Sequence, residues 1–226
     1  MSYTPRQSLS CLIILPLILI GVASGASHAS DVDFYALEGR VLRDPNDLKT
    51  RMTLGKEYTR RFDESRAAED GAKAHRHLEY AVKLDPGSIE AKARFDVVLC
   101  LEARESNSHS KAKSALADLD RLVQANPSHP LVRELRGFAG IECPAEYERA
   151  GQALEDLTAV EEQIRKTPTI VQTYDLNVPK VYLKLGKCYR AKGDMVNAKK
   201  WWQKAVDTGG DTREAKSAAR LLGKNR

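Results

Sequence analysis

The sequence predicts an all-α fold with an internal repeat, on two observations. Strong helix formers (Ala, Leu, Lys, Arg, Glu) dominate a chain with only 6% aromatic residues, and β-branched runs bounded by turn residues are scarce. Pro45, Pro86, Pro127 and Pro168 stand in the frames RDPND, LDPGS, ANPSH and KTPTI, each 41 residues after the one before. Each follows a helical pattern ending in a polar or acidic residue, where proline stops a helix because the residue before it is pushed out of the α region. At 226 residues, 42% hydrophobic and 30% charged, the chain can bury a sizeable core, which argues against disorder.

The first thirty residues differ in kind. Arg6 supplies a positive start, CLIILPLILIGV runs from Cys11 to Val22, and Ser27-His28-Ala29 places small residues ahead of a cut before Ser30. Residues 1–29 therefore read as a secretory signal peptide and the protein as exported, periplasmic or secreted. A retained anchor is the alternative, although the apolar run is shorter than the ~20 residues a bilayer span needs and Pro16 interrupts it. Cys11 precedes the apolar core, so lipid attachment at the cleavage point does not fit. The mature chain keeps Cys100, Cys143 and Cys188, an odd set that allows at most one internal disulfide, and the absence of a CxxC removes the common redox and structural zinc motifs.

Behind the leader, Val32 to Arg43 has helix length and an apolar stripe, a leading half-repeat. A first repeat (46–86) carries Leu54, Gly55 and Tyr58 in LGKEY, then Ala74, Leu78 and Ala81; a second (87–127) carries Phe95, Leu99, Ala115, Leu119 and Leu122. A third (128–168) has Gly137 in the small-residue column but Arg136 where Leu is expected and Asp156 where Ala is expected, and Pro144 suits the first turn of its second helix. After a long connection, Thr167 to Pro179, the fourth (179–210) has Tyr182, Leu185, Gly186, Tyr189, Ala198, Trp202 and Ala205, with Gly193-Asp194 as helix stop and N-cap. Asp211 and Glu214 are spaced as a capping box for a closing helix, 211–223, with Ala215, Ala218, Ala219 and Leu222 on one face.

This pattern resembles the tetratricopeptide repeat, with a Sel1-like last unit. The resemblance implies a right-handed superhelical stack of two-helix units with the closing helix covering its end. Repeats one and two exceed the family length by seven residues between their two helices, in RFDESRAAEDG and ARESNSHSK. Two added turns of helix and a longer tip loop each account for that excess. Cys100 and Cys143 fall near the ends of the first helices of successive repeats, about one period apart, and are candidates for one disulfide.

No catalytic constellation is present: GxSxG, HExxH, P-loop and GxGxxG are all missing. His75 and His77, two apart on a helix, point away from each other and read as surface histidines, not metal ligands. Glu161-Glu162 reads as a solvated face. The expectation is a protein that is not an enzyme and needs no cofactor or metal.

Charge is unevenly placed. From Lys180 onward 13 Lys and Arg face 4 Asp and Glu, a net of +9, whereas residues 30–179 carry −5. In the family, first-helix positions one turn apart face the concave groove. Carried over by register, this selects Lys49, Lys56 and Arg60 in repeat one, Arg94 in repeat two, and Lys180, Lys184, Lys187 and Arg190 in repeat four. The family's carboxylate-binding type also uses Asn at such places and none matches here, so the implied role is a scaffold with a basic groove for an acidic peptide or partner domain. The alternative is an envelope-structural or surface protein that binds an anionic polymer or lipid through its basic C-terminal end. Nucleic acid is disfavoured by export and because Tyr182, Tyr189 and Trp202 occupy packing columns.

Overall fold

The computed structural model describes residues 32–143 and 149–223. The leader at 1–29 and Pro144 lie outside the described residues, and so does the proposed cut before Ser30.

Eleven helices and no strand occur among the described residues, an all-α stack as expected. They are α1 (Phe34–Arg43), α2 (Leu48–Ser65), α3 (Ala68–Leu84), α4 (Ile89–Ser106), α5 (His109–Ala125), α6 (Pro130–Glu142), α7 (Ala150–Lys166), α8 (Ile170–Thr173), α9 (Val178–Ala191), α10 (Met195–Gly209) and α11 (Arg213–Gly223). None is long and apolar enough to cross a membrane.

Local chemistry sets the ends. Asp33, Asp47, Ser88, Asn177 and Asp194 are N-caps whose side chains accept a backbone N–H of the first turn, which satisfies a donor the helix leaves open. The four periodic prolines each stand two residues past the end of α1, α3, α5 or α7. The residues just before them, Asp44, Asp85, Asn126 and Thr167, have φ from −130° to −140°, outside the α region as a following proline requires. The seven-residue excess of the first two repeats is added helix: α2 and α4 have 18 residues, α3 and α5 have 17, and only Arg66-Ala67 and Asn107-Ser108 separate the partners. Arg66 and Asn107 turn the chain in the left-handed conformation, with φ of 58° and 50°.

Helices pair as α2 with α3, α4 with α5, α6 with α7, and α9 with α10, and the first helices α2, α4, α6 and α9 also touch in succession. Inside three of the hairpins a bulky side chain lies against a glycine. A Cβ at Gly55 would sit 2.5 Å from Leu78 Cγ, one at Gly137 2.8 Å from Leu157 Cγ, and one at Gly186 2.3 Å from Trp202 Cδ1. Leu78, Leu157 and Trp202 are fully buried.

The second hairpin departs from this rule. Asp96 stands 41 residues after Gly55 and 41 before Gly137. It is 7% exposed, makes no hydrogen bond or ion pair with any described residue, and borders a cavity of about 440 Å³ shared with Val82 of α3 and Leu122 of α5. Burial pushes its carboxyl pKa up to about 7, against a smaller opposing pull from Arg121.

The third hairpin replaces an apolar pair with ions. Arg136 grips Asp156 with two hydrogen bonds, Nε to Oδ2 at 2.7 Å and Nη2 to Oδ1 at 2.9 Å, and Arg133 adds a third at 2.9 Å to a carboxylate that is 0% exposed. The unexpected residues at 136 and 156 therefore compensate each other, and Gly137 keeps its contact beside them.

Four sequence readings are corrected. The connection after Pro168 contains the short helix α8 and ends at Asn177, because Asn177 caps α9 and Pro179 lies inside its first turn. Thr212, not Asp211, caps the closing helix, its Oγ1 accepting from Ala215 N at 3.3 Å, while Asp211 is exposed. Ala219 is exposed and Glu214 takes its place on the covered face of α11. His77 is not a surface residue: it is buried at 1% exposure and bonds Glu38 at 3.1 Å.

Two predictions follow from these substitutions in the hairpins. Asp156→Ala leaves Arg136 and Arg133 without their buried acceptor and is expected to cost ~3–5 kcal/mol in urea unfolding, whereas Arg136→Leu with Asp156→Ala is expected to come out neutral or more stable than the single change by a similar amount. The raised Asp96 pKa means that stability is fully present below its ordinary value of 3.8 and is lost as pH rises through about 7. Asp96→Asn should accordingly melt near the parent at pH ~4 and above it at pH ~8, by up to the order of 4 kcal/mol.

Candidate functional site

The first helices of all four hairpins line one face, and most of the basic residues selected by register gather there. A cavity of about 90 Å³ has Val97, Leu135 and Phe138 on its wall and Lys56, Arg60, Arg94, Lys180 and Arg213 among its cations. A second, of about 340 Å³, adjoins it and includes Lys180, Lys184, Lys187, Arg104 and Arg220. Lys49 is exposed and shares a shallower pocket with Lys56 and Arg94. Arg190 lines none of these: it is exposed, with its guanidinium 5.7 Å from the centre of the Trp202 ring.

These cations are not bare. Lys56 pairs with Asp175, Arg60 with Glu57 at 2.8 Å and Glu64 at 3.0 Å, and Arg94 with Glu90 at 2.7 Å. Lys180 approaches Glu134 at 3.9 Å and lies 4.1 Å from the centre of the Phe138 ring. Lys184, 3% exposed, bonds Glu142 at 2.5 Å, and Lys187 bonds the same oxygen at 2.7 Å. Arg104 reaches Glu142 from the other side at 2.9 Å and Asp63 at 3.4 Å.

Glu142 is thus the hub, one carboxylate facing three cations. Burial alone would raise its pKa, but the lysines at 184 and 187 outweigh that and hold it well below the usual carboxylate range. Burial lowers the pKa of Lys187, with Lys184 adding to the effect and Glu142 opposing it; burial likewise lowers Lys180. Arg104 Nη2 is buried and has no acceptor among the described residues. The larger cavity has seven cations and four carboxylates in its lining, and two of those cations also meet acids outside it, Arg66 with Glu105 at 3.3 Å and Lys180 with Glu134 at 3.9 Å.

Two contacts between segments distant in sequence lie beside this face. Asp175, just after α8, meets Lys56 of α2 across 119 residues of sequence. Arg213 of α11 donates to the Arg60 carbonyl at 3.2 Å, a separation of 153, and also pairs with Glu64.

Register reasoning missed the acids Asp63, Glu134, Glu142, Asp175 and Glu214, and the cations Arg104 and Arg213. One signal was available: Arg104 stands 41 residues after Asp63, so opposite charges occupy one column of successive repeats. Cys100 in α4 and Cys143 at the end of α6, the disulfide candidates, are free thiols on two helices that pack together.

Among family models, none matches this chain, and comparison with curated protein sequences gives no match either.

Glu142→Gln tests the hub. Because the folded pKa lies below the ordinary 4.5, its stabilisation is present above that value and lost as pH falls. The variant is expected to be ~3–5 kcal/mol less stable at pH 7 and to show a flatter loss of stability below pH ~4.5 than the parent.

Proposed function

We propose that this chain is an exported, non-enzymatic binding module of the tetratricopeptide type, whose inner helical face takes an extended acidic peptide segment of a partner protein. The observation that carries the reading is the gathering of seven cations, the exposed Arg220 among them, in the lining of the larger inner-face cavity. An incoming carboxylate meets cations whose protonated forms burial disfavours at Lys180 and Lys187, so its arrival restores what burial takes away. The apolar wall of Val97, Leu135 and Phe138 next to it suits a hydrophobic residue beside the acidic one. The periodic prolines and the glycine contacts inside the hairpins support the family reading, and the absence of a nucleophile with a base in the sequence supports a binding role.

A second reading has its own observation. Val196 is 81% exposed and Lys192, Lys199 and Lys200 surround it in sequence on exposed positions, a combination suited to an anionic lipid or polymer surface.

Binding to fluorescent Asp/Glu-rich peptides, measured across a salt series, tests both. Capture is expected to weaken as salt rises and to fall roughly tenfold in Lys187→Gln with Arg220→Gln at unchanged helicity, since several exposed contacts of ~1 kcal/mol or less act together. Peptide binding unaffected by that pair, with anionic vesicle binding lost in Lys192→Gln, Lys199→Gln and Lys200→Gln, would favour the second reading.

A further inference from the structure

We propose that the cavity beside Asp96 in the second hairpin is a binding site for a primary alkylammonium, a cationic head on a short apolar stem. Three helices line it: α3 gives Val82, α4 gives Phe95 and Asp96, and α5 gives Leu122 and Ala125. Its volume of about 440 Å³ falls in the range of small-molecule pockets. It shares no lining residue with the inner-face cavities, so the inference stands apart from the acidic-peptide reading.

The chemistry of the lining selects the ligand. Asp96 is only 7% exposed and has no hydrogen bond or ion pair with any described residue, whereas a buried carboxylate normally has both. The other charged groups of the lining leave it unmatched. Asp118 is held by Arg121 one turn further along α5, and Lys92, one turn before Asp96 on α4, makes no ion pair with it. No charged residue of α2, α3 or α6, which also pack against α4, lines the cavity. One carboxylate is therefore open to a cation, beside an apolar wall. A metal ion suits the lining less well, since among the described residues no three His, Cys, Asp or Glu stand together as ligands.

Binding and ionisation are linked. Burial pushes the Asp96 carboxyl up to about 7, with Arg121 pulling weakly the other way, so near neutral pH protonated and ionised forms are both populated. An ammonium donates hydrogen bonds to the carboxylate and supplies the counter-charge it lacks, so binding draws the group into its ionised form and releases a proton. The alkyl stem meanwhile covers the apolar wall of Val82, Phe95 and Leu122. A neutral alcohol of the same length offers the stem without the charge.

Calorimetric titration of the full chain with n-butylammonium, n-butanol and an end-blocked Gly-Lys-Gly peptide tests the site. Butylammonium is expected to bind about tenfold more tightly at pH ~8 than at pH ~6, because the ionised fraction of a group titrating near 7 rises by that factor. Butanol should bind more weakly than butylammonium at the higher pH. Asp96→Asn, a change expected to leave the fold at least as stable, should lose butylammonium binding at both pH values with its helical spectrum intact, while Asp118→Asn at the exposed pair should keep it within about twofold. Tighter binding of the peptide than of the free amine identifies a lysine side chain as the source of the ammonium, and the reverse order identifies a free amine. The proposal is overturned if butylammonium fails to bind at pH ~8, binds no better than butanol, binds Asp96→Asn as it binds the parent, or shows no dependence on pH.

Discussion

In three of the four hairpins the contact of one glycine with one bulky side chain is what lets the two helices close on each other. Gly55, Gly137 and Gly186 have no Cβ, and Leu78, Leu157 and Trp202 fill the space that a Cβ would need. Helices brought that close interlock along the neighbouring turns, and the fully buried residues Leu54, Leu78, Leu157, Leu185 and Trp202 cluster around these contacts. The stack then forms because each hairpin still has an apolar flank to bury against the next. Where the glycine is replaced, as at Asp96, a cavity lies in the hairpin instead.

Most of the helices were legible in the sequence because their signals are local. A proline restricts the residue before it, an Asp or Ser accepts from the next turn, and a glycine column repeats at a fixed interval; none of these depends on distant chain. The choice between added helix and a longer tip was not legible, because Arg66 and Asn107 adopt the left-handed turn without the glycine that advertises it. His77 misled for a different reason. It is covered by Tyr58 of α2, whose ring stacks on it, and bonded by Glu38 of α1, and the spacing of two histidines carries no information about those partners.

The candidate site was half legible. Cations on the first helices could be selected by register, whereas Asp175, Glu134 and Glu142, which meet Lys56, Lys180 and Lys184, arrive from other parts of the chain, and Glu142 comes from the repeat with the weakest pattern. Lys184 illustrates the difference. By position it is a groove lysine, yet it lies buried against Glu142 with Phe138 beneath it, so it holds the wall together before it could hold a ligand. Under the proposed reading, an acidic ligand would have to exchange with the carboxylates already in place, which lowers net affinity but penalises any ligand lacking the right charge spacing.

The meeting of α2 with Asp175 and Arg213 changes the physics of the array. Repeat stacks usually behave as one-dimensional chains in which each unit senses only its neighbours, so stability adds up unit by unit and folding spreads from any point. Contacts spanning 119 and 153 residues join the first hairpin to the connection before α9 and to the closing helix. Loop-closure entropy must be met before those contacts form, which raises the contact order and slows the last step of folding relative to an open stack. Once made, they give the first hairpin and the closing helix a shared contact, a tie that an open rod of repeats does not have.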